Sequence, residues 1–209
     1  MPYCRSRDPL TVTDRTGVET GGFTFRPVTP ETLGDLALFA ETYGKFGYCS
    51  CMRWRLTSSE FRHSDKASRS QALLEAVTQG VPIGVLAYQG QAPVGWCSIA
   101  PRSSYAGLER YRAIPRVDEQ PVWAVACFFV AASARRRGLT VGLLKAAVTY
   151  AEEQGAHTVE GYPVPSGARL YTYMGSPATF RAAGFSDVTP PGSARLVMRL
   201  TIAPETRHD

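Results

Sequence analysis

Residues 122–144 read Val-Trp-Ala-Val-Ala-Cys-Phe-Phe-Val, then Ala-Ala-Ser-Ala, then Arg-Arg-Arg-Gly, then Leu-Thr-Val-Gly-Leu-Leu. The unbroken apolar run Val122–Val130 predicts a buried strand. Leu139, Leu143, Ala146, Ala147 and Tyr150 recur three and four apart, which predicts a helix over 139–153, stopped by Gly155. The helix therefore starts at or near Gly138. A helix's first amides have no partner within it and sit at the positive end of its dipole, so an anion there gains hydrogen bonds and about 0.3–1 kcal/mol. Arg135, Arg136 and Arg137 add charge to that place. Taken alone, the pattern fits equally an ordinary strand–turn–helix with a solvated arginine cluster.

On the N-terminal side, residues 1–21 are polar and irregular and are expected to form a flexible arm. Phe23–Val28 alternates as a strand, with Pro27 pointing to an edge or a bulge. Thr29-Pro30-Glu31 supplies a helix start, followed by Leu33, Leu36, Ala37 and Ala40 at helical spacing. Tyr48–Arg55 is dense in aromatic, sulfur and cationic groups. A second helix is expected from about Asp65 to Gln79, with Leu73, Leu74 and Val77 inward. Ile83–Tyr88 and Val94–Ile99 form a hairpin around Gln89-Gly90-Gln91. Residues 101–120 are polar and are expected to form a long loop over a site. Beyond the central helix come a strand at His157–Tyr162, a short helix near Ser176–Ala183, and a final hairpin turning at Pro190-Pro191-Gly192 with its return strand at Leu196–Leu200. The tail from residue 203 is expected to be loose.

With 209 residues and a hydrophobic fraction of 44%, the chain fits one mixed α/β core. Its net charge of +5 suits an anionic partner without choosing among coenzyme, nucleic acid and membrane. The 11-residue run Val122–Ala132 is too short to span a bilayer, and residues 1–20 contain no apolar block of a secretory signal. No membrane partner is expected, and the location expected is cytoplasmic. Five cysteines, Cys4, Cys49, Cys51, Cys97 and Cys127, are an odd number without metal-like spacing, so reduced thiols and no metal are expected.

At Arg135-Arg136-Arg137-Gly138-Leu139-Thr140 the sequence resembles the GCN5-related N-acetyltransferase (GNAT) family, whose signature is Arg/Gln-x-x-Gly-x-Gly/Ala opening a long helix after a strand. Thr140 departs from the family's second small residue. Arg181-Ala182-Ala183-Gly184-Phe185 looks like the family's terminal Gly-Phe motif, and the order of elements is also similar from Phe23 to Ile202. The resemblance implies one domain over 22–202, between the arm at 1–21 and the tail at 203–209. It implies an α/β (α+β) fold: a mixed, mostly antiparallel central sheet, splayed at its central strands and flanked by helices.

What the resemblance implies about chemistry is transfer of an acetyl group from acetyl-CoA to a small-molecule amine through a ternary complex. The expected cofactor contacts are Arg135, Arg136, Arg137, Gly138, Leu139, Thr140, Val141 and Gly142 for the pyrophosphate. Phe128, Phe129 and Val130 would line the pantetheine arm and thioester with their amides. The family's thiolate protonator, a tyrosine, corresponds to Phe180, which has no proton to give, so Tyr173 is preferred over Tyr171 as a substitute. Glu160 stands on the strand where the family often carries an acid, and by alternation it shares a face with Tyr162. It is the candidate base, with a hydrogen-bonded structural carboxylate as the alternative. Tyr48, Cys51, Trp54, Trp96 and Tyr162 are the expected acceptor pocket, and Arg53 and Arg55 are either acceptor ligands or surface charges. Other readings stay open: a catalytically silent acyl-CoA sensor, and an RNA-binding transferase taking its group from aminoacyl-tRNA. Monomer and homodimer fit equally.

Overall fold

The computed structural model describes residues 22–49, 51–165 and 167–202; the arm expected at 1–21 and the tail expected at 203–209 lie outside them. The first strand, β1 (Thr24–Pro27), lies at the sheet's edge, where the missing N–H of Pro27 costs no interior ladder bond. Thr29 closes a capping box over a single 3-10 turn at Pro30–Thr32, and the expected first helix follows as α1 (Leu33–Thr42). The cysteine- and arginine-rich stretch breaks into three short helices, α2 (Gly44–Cys49), α3 (Met52–Arg55) and α4 (Ser58–His63). Next comes α5 (Lys66–Thr78), capped by the carboxylate of Asp65 on the amide of Ser68.

The expected hairpin is β2 (Gly84–Gln89) and β3 (Ala92–Pro101). Residues 101–120 do not form the open cover expected of them. They make a 3-10 turn at Arg102–Ser104 and α6 (Ala106–Glu109), then turn inward. Tyr105, Leu108 and Ile114 are fully buried against Trp54, Ala124 and Tyr162, because their apolar bulk outweighs the polar residues between them. The central stretch gives β4 (Trp123–Val130) and α7 (Leu139–Glu153), followed by β5 (Thr158–Gly161). Ser176 caps α8 (Pro177–Ala182), and β6 (Ser186–Asp187) and β7 (Met198–Thr201) end the described fold.

All seven strands form one sheet in the order β1-β2-β3-β4-β5-β7-β6. Every neighbouring pair is antiparallel except β4 with β5, which is parallel. On one face, Leu139, Leu143, Ala147 and Tyr150 of α7 pack on Val85, Ile99 and Val125. On the other, Leu36 and Phe39 of α1 and Leu73 and Val77 of α5 cover Leu86, Tyr88 and Trp96. Gly142 belongs to the first interface: a Cβ there would stand 2.8 Å from the Phe25 ring, so glycine lets α7 sit down on the sheet.

Candidate active site

Two irregularities open the sheet at its centre. In the β3–β4 ladder Ser98 faces Cys127 and Ile99 faces Val125, which leaves Ala126 as a bulge. The extra residue swaps the faces, so Phe128 packs under α7 while Cys127 and Phe129 pack on the α1 side. The β4–β5 ladder has three rungs, Trp123–Val159, Ala124–Glu160 and Val125–Gly161, and stops there. Past Val125 the two strands part. Because the amide of Ala131 donates to the carbonyl of Val94, alternation turns the amide of Phe129 to β3 and those of Phe128 and Val130 to the gap. Phe129, expected to offer its amide with them, therefore contributes its ring instead.

The helix that follows begins at an arginine-flanked turn. The N-termini of α4, α5 and α8 are capped by Thr57, Asp65 and Ser176, but Gly138 heads α7 with no side-chain cap bond. Gly138 has φ +75° and Arg136 φ +60°, two left-handed residues that curl the loop around the helix end. A Cβ on Gly138 would meet nothing within 4 Å, so the glycine serves the backbone angle and not a tight fit. A cleft of about 530 Å³ runs from Arg135, Arg136, Gly138 and Thr140 to Phe128, Phe129 and Val130, with Leu139 and Val141 in its wall. Arg135 is oriented by a 3.1 Å bond from Nε to the carbonyl of Val130. Two expected cofactor residues do not line the cleft. Arg137 lies over the Phe23 ring at 4.5 Å, and Gly142 faces the sheet. Ala134, Thr172 and Thr179 line it unforeseen.

A second cavity, of about 460 Å³, adjoins the first on the helical side. Of the expected acceptor residues, Cys51 and Trp54 line it. Trp96 and Tyr162 are fully buried behind it, with Trp96 donating from Nε1 to Cys51 Sγ at 2.7 Å, while the side chain of Tyr48 lies outside the described residues. Phe46, Cys49, Phe61, Ala126 and Cys127 complete the wall with Arg53. Phe61 had one sequence signal, a lone aromatic inside a polar helix, and Cys127 had none until the bulge was known. Burial pushes the Cys49 thiol up to about 11 and raises Cys51 well above its ordinary value, so neither is a nucleophile near neutral pH. Cys51 itself has φ +54°, a costly angle for a side-chain residue beside a cavity.

Phe128, Phe129 and Tyr173 belong to both cavities and mark their junction. Burial above all, and then the neighbouring Cys127, hold the Tyr173 phenol above the usual tyrosine range, so it keeps its proton. Phe180 reaches neither cavity. It is fully buried, its ring edge to face with those of Phe128 and Phe185.

Glu160, the expected base, is 1% exposed and lines neither cavity. Its Oε1 accepts from Arg199 Nε at 2.6 Å, and its Oε2 from Arg102 Nη1 at 3.1 Å and the Tyr162 hydroxyl at 2.8 Å. Arg102 also donates to the carbonyl of Ile114 and pairs with Glu109, and Arg199 pairs with Asp118. Alternation did bring Glu160 and Tyr162 together, but as parts of a buried network that ties the 102–118 segment to β5 and β7. With both oxygens bound by guanidinium groups and neither cavity within its reach, the carboxylate is placed as a structural group. Arg55 is structural too: it bonds the carbonyls of Pro82 and Ile83 and lies over Tyr105 at 4.7 Å.

A sheet that parts beside an uncapped, arginine-flanked helix end is the architecture of an acyl-coenzyme A-dependent transferase. The family model described as the acetyltransferase (GNAT) family matches residues 49–173, most of the chain. The chain belongs to that family and is by membership an N-acetyltransferase. Solved structures share its fold. One is yncA, a putative acetyltransferase from Salmonella typhimurium with its cofactor acetyl-CoA, at 17% identity over 90% of this chain and 98% of that one, TM-score 0.50. Another is ribosomal-protein-alanine N-acetyltransferase from Brucella melitensis, at 20% over 85% and 99%, TM-score 0.50. A third is AAC(6′)-Ib in complex with paromomycin and acetyl-CoA, at 20% over 86% and 93%, TM-score 0.52. No curated protein matches the chain. Among the described residues no cluster of metal ligands occurs and no helix is long and apolar enough to cross a membrane.

Proposed function

We propose that the chain transfers an acetyl group from acetyl-CoA directly to the amine of a small molecule. The observation that carries this reading is the junction: the anion-binding cleft and the apolar cavity meet at Phe128, Phe129 and Tyr173. The first-turn amides of α7, with Arg135 and Arg136, would hold the pyrophosphate, and the gap-facing amides of Phe128 and Val130 would receive the pantetheine arm and polarise the acyl carbonyl. Acetyl-CoA supplies a thioester carbon open to attack by a neutral amine.

The apolar cavity disfavours a charged ammonium, which sheds one proton to water on entry. The amine nitrogen then bonds to the acyl carbon as the carbon–sulfur bond breaks. Tyr173 gives its proton to the departing sulfur and takes back the proton the nitrogen releases, so the enzyme ends unchanged. Cys49 and Cys51, held as thiols, form no acyl intermediate. The four free thiols among the described residues support a reducing, cytoplasmic setting.

The test is amine-dependent release of coenzyme A across a panel of small amines, with the N-acetyl product identified by mass spectrometry. Tight acetyl-CoA binding with no turnover of any amine would replace the transferase with a sensor.

A further inference from the structure

We propose that the acceptor is a small amine with an aromatic or branched apolar body and a carboxylate, and that Arg53 binds the carboxylate; this rests on the transferase reading above. The cavity of about 460 Å³ falls within the roughly 300–1,000 Å³ of small-molecule sites. Its described wall carries the rings of Phe46, Trp54, Phe61, Phe128 and Phe129, and no aspartate or glutamate. Arg53 is the one formal charge among those lining residues.

The two arginines of α3 divide the work. Arg55 is consumed by backbone carbonyls, whereas Arg53 makes no ion pair among the described residues. The guanidinium carbon of Arg53 stands 5.0 Å from the Trp54 ring centroid and 5.8 Å from that of Phe61. Ring contacts use the face of a guanidinium and leave its N–H edge to bind a carboxylate in a two-pronged pair. The rings thus hold a cation in place at an apolar wall, with its donors unspent among the described residues.

The charge pattern also excludes partners. A polycationic aminosugar would enter an apolar cavity whose single charge repels it and which offers no carboxylate in return. An aromatic amino acid instead puts its ring on the aromatic wall and its carboxylate on Arg53. Its ammonium, left without an anion of the enzyme's own, loses its proton more readily, which the attack requires.

Matched acceptors test this. With acetyl-CoA saturating, kcat and KM are measured for phenylalanine against phenethylamine, leucine against isoamylamine, and kanamycin. Each amino acid should exceed its decarboxylated twin in kcat/KM by roughly 10- to 100-fold, mostly through KM, the size of a charge-assisted pair. Arg53→Gln should bring that ratio close to one and Arg53→Lys should restore part of it, with circular dichroism and acetyl-CoA affinity as fold controls. In parallel, calorimetry on the coenzyme A complex compares N-acetylphenylalanine with N-acetylphenethylamine. Carboxylate-dependent binding that Arg53→Gln removes, without turnover of any amine, would sink the transferase and leave the ligand class standing. Turnover blind to the carboxylate, a preference for kanamycin, a ratio unmoved in Arg53→Gln, or no carboxylate-dependent binding would each overturn the assignment.

Discussion

Arg199 reaches Glu160 across the β5–β7 ladder, Nε to Oε1 at 2.6 Å, and joins two strands whose backbones are already paired at that rung. Removing the carboxylate's charge leaves two guanidinium groups facing each other in a buried site. We expect Glu160→Gln to lower stability on the order of 3 kcal/mol, a fall in Tm of roughly 6–12 °C for a chain of this size. Folded Glu160→Gln should keep its turnover and its pH–rate profile. Calorimetric melting and steady-state kinetics check it, and an unchanged Tm with a collapse in kcat would return the base to Glu160.

Tyr173→Phe removes the proposed proton donor at the junction and little else, because the ring keeps its packing. Turnover should fall roughly 10- to 100-fold while acetyl-CoA affinity holds. Phe180→Tyr should not restore the rate, since position 180 is fully buried away from both cavities. Full activity in Tyr173→Phe would hand the proton to water.

Gly138→Ala and Gly138→Glu separate angle from charge. Position 138 is open, so alanine adds only the strain of φ +75°, about 1 kcal/mol, and a modest loss of coenzyme A affinity. Glutamate adds a negative charge at the proposed pyrophosphate seat and should cost at least ~100-fold in affinity by calorimetry. Equal affinity in folded Gly138→Glu would remove the anion site from α7. Thr140→Gly, which restores the family's small residue, should be mild.

Alkali should unfold the protein through its buried tyrosines. Burial pushes Tyr105 up to about 12 from an ordinary 10, so the unfolded chain loses this proton first. Stability is then unaffected below about pH 10 and falls as pH rises from there towards 12, by up to ~1.4 kcal/mol per pH unit for this group. Urea midpoints measured across that range should show a shallower decline in Tyr105→Phe. A flat wild-type profile would contradict it.

Much of the fold was legible because its longest elements carry the cleanest periods. The apolar residues of α7 recur every three or four positions over 15 residues, and β4 is apolar throughout. Helices α2, α3 and α4 were not legible, since six, four and six residues are too few to show a period. Of the cleft's lining, the stretch from Phe128 to Val141 could be read because it is nearly contiguous, whereas Thr172 and Thr179 reach it from far along the chain. The fate of Glu160 could not be read, because Arg102 and Arg199 lie 58 and 39 positions away and only the sheet register brings them together. The bulge at Ala126 was equally hidden: one extra residue decided which of two adjacent phenylalanines shows its amide and which its ring.

The three rungs between β4 and β5 also divide the sheet in local stability. Strands β1 to β4 follow one another as antiparallel neighbours, whereas β5, β7 and β6 join them across the α7 crossover through the sheet's one parallel pair. Apart from the two-rung β6–β7 pair at the edge, this seam is the shortest ladder in the sheet, and it should be the first interior pairing to open in the native state. Amide hydrogens of Val159, Glu160 and Gly161 should exchange through sub-global openings, and those of β3 only through complete unfolding. A ligand lying against Phe128 and Val130 spans that seam, and it would bind the two sides of the sheet into one cooperative unit.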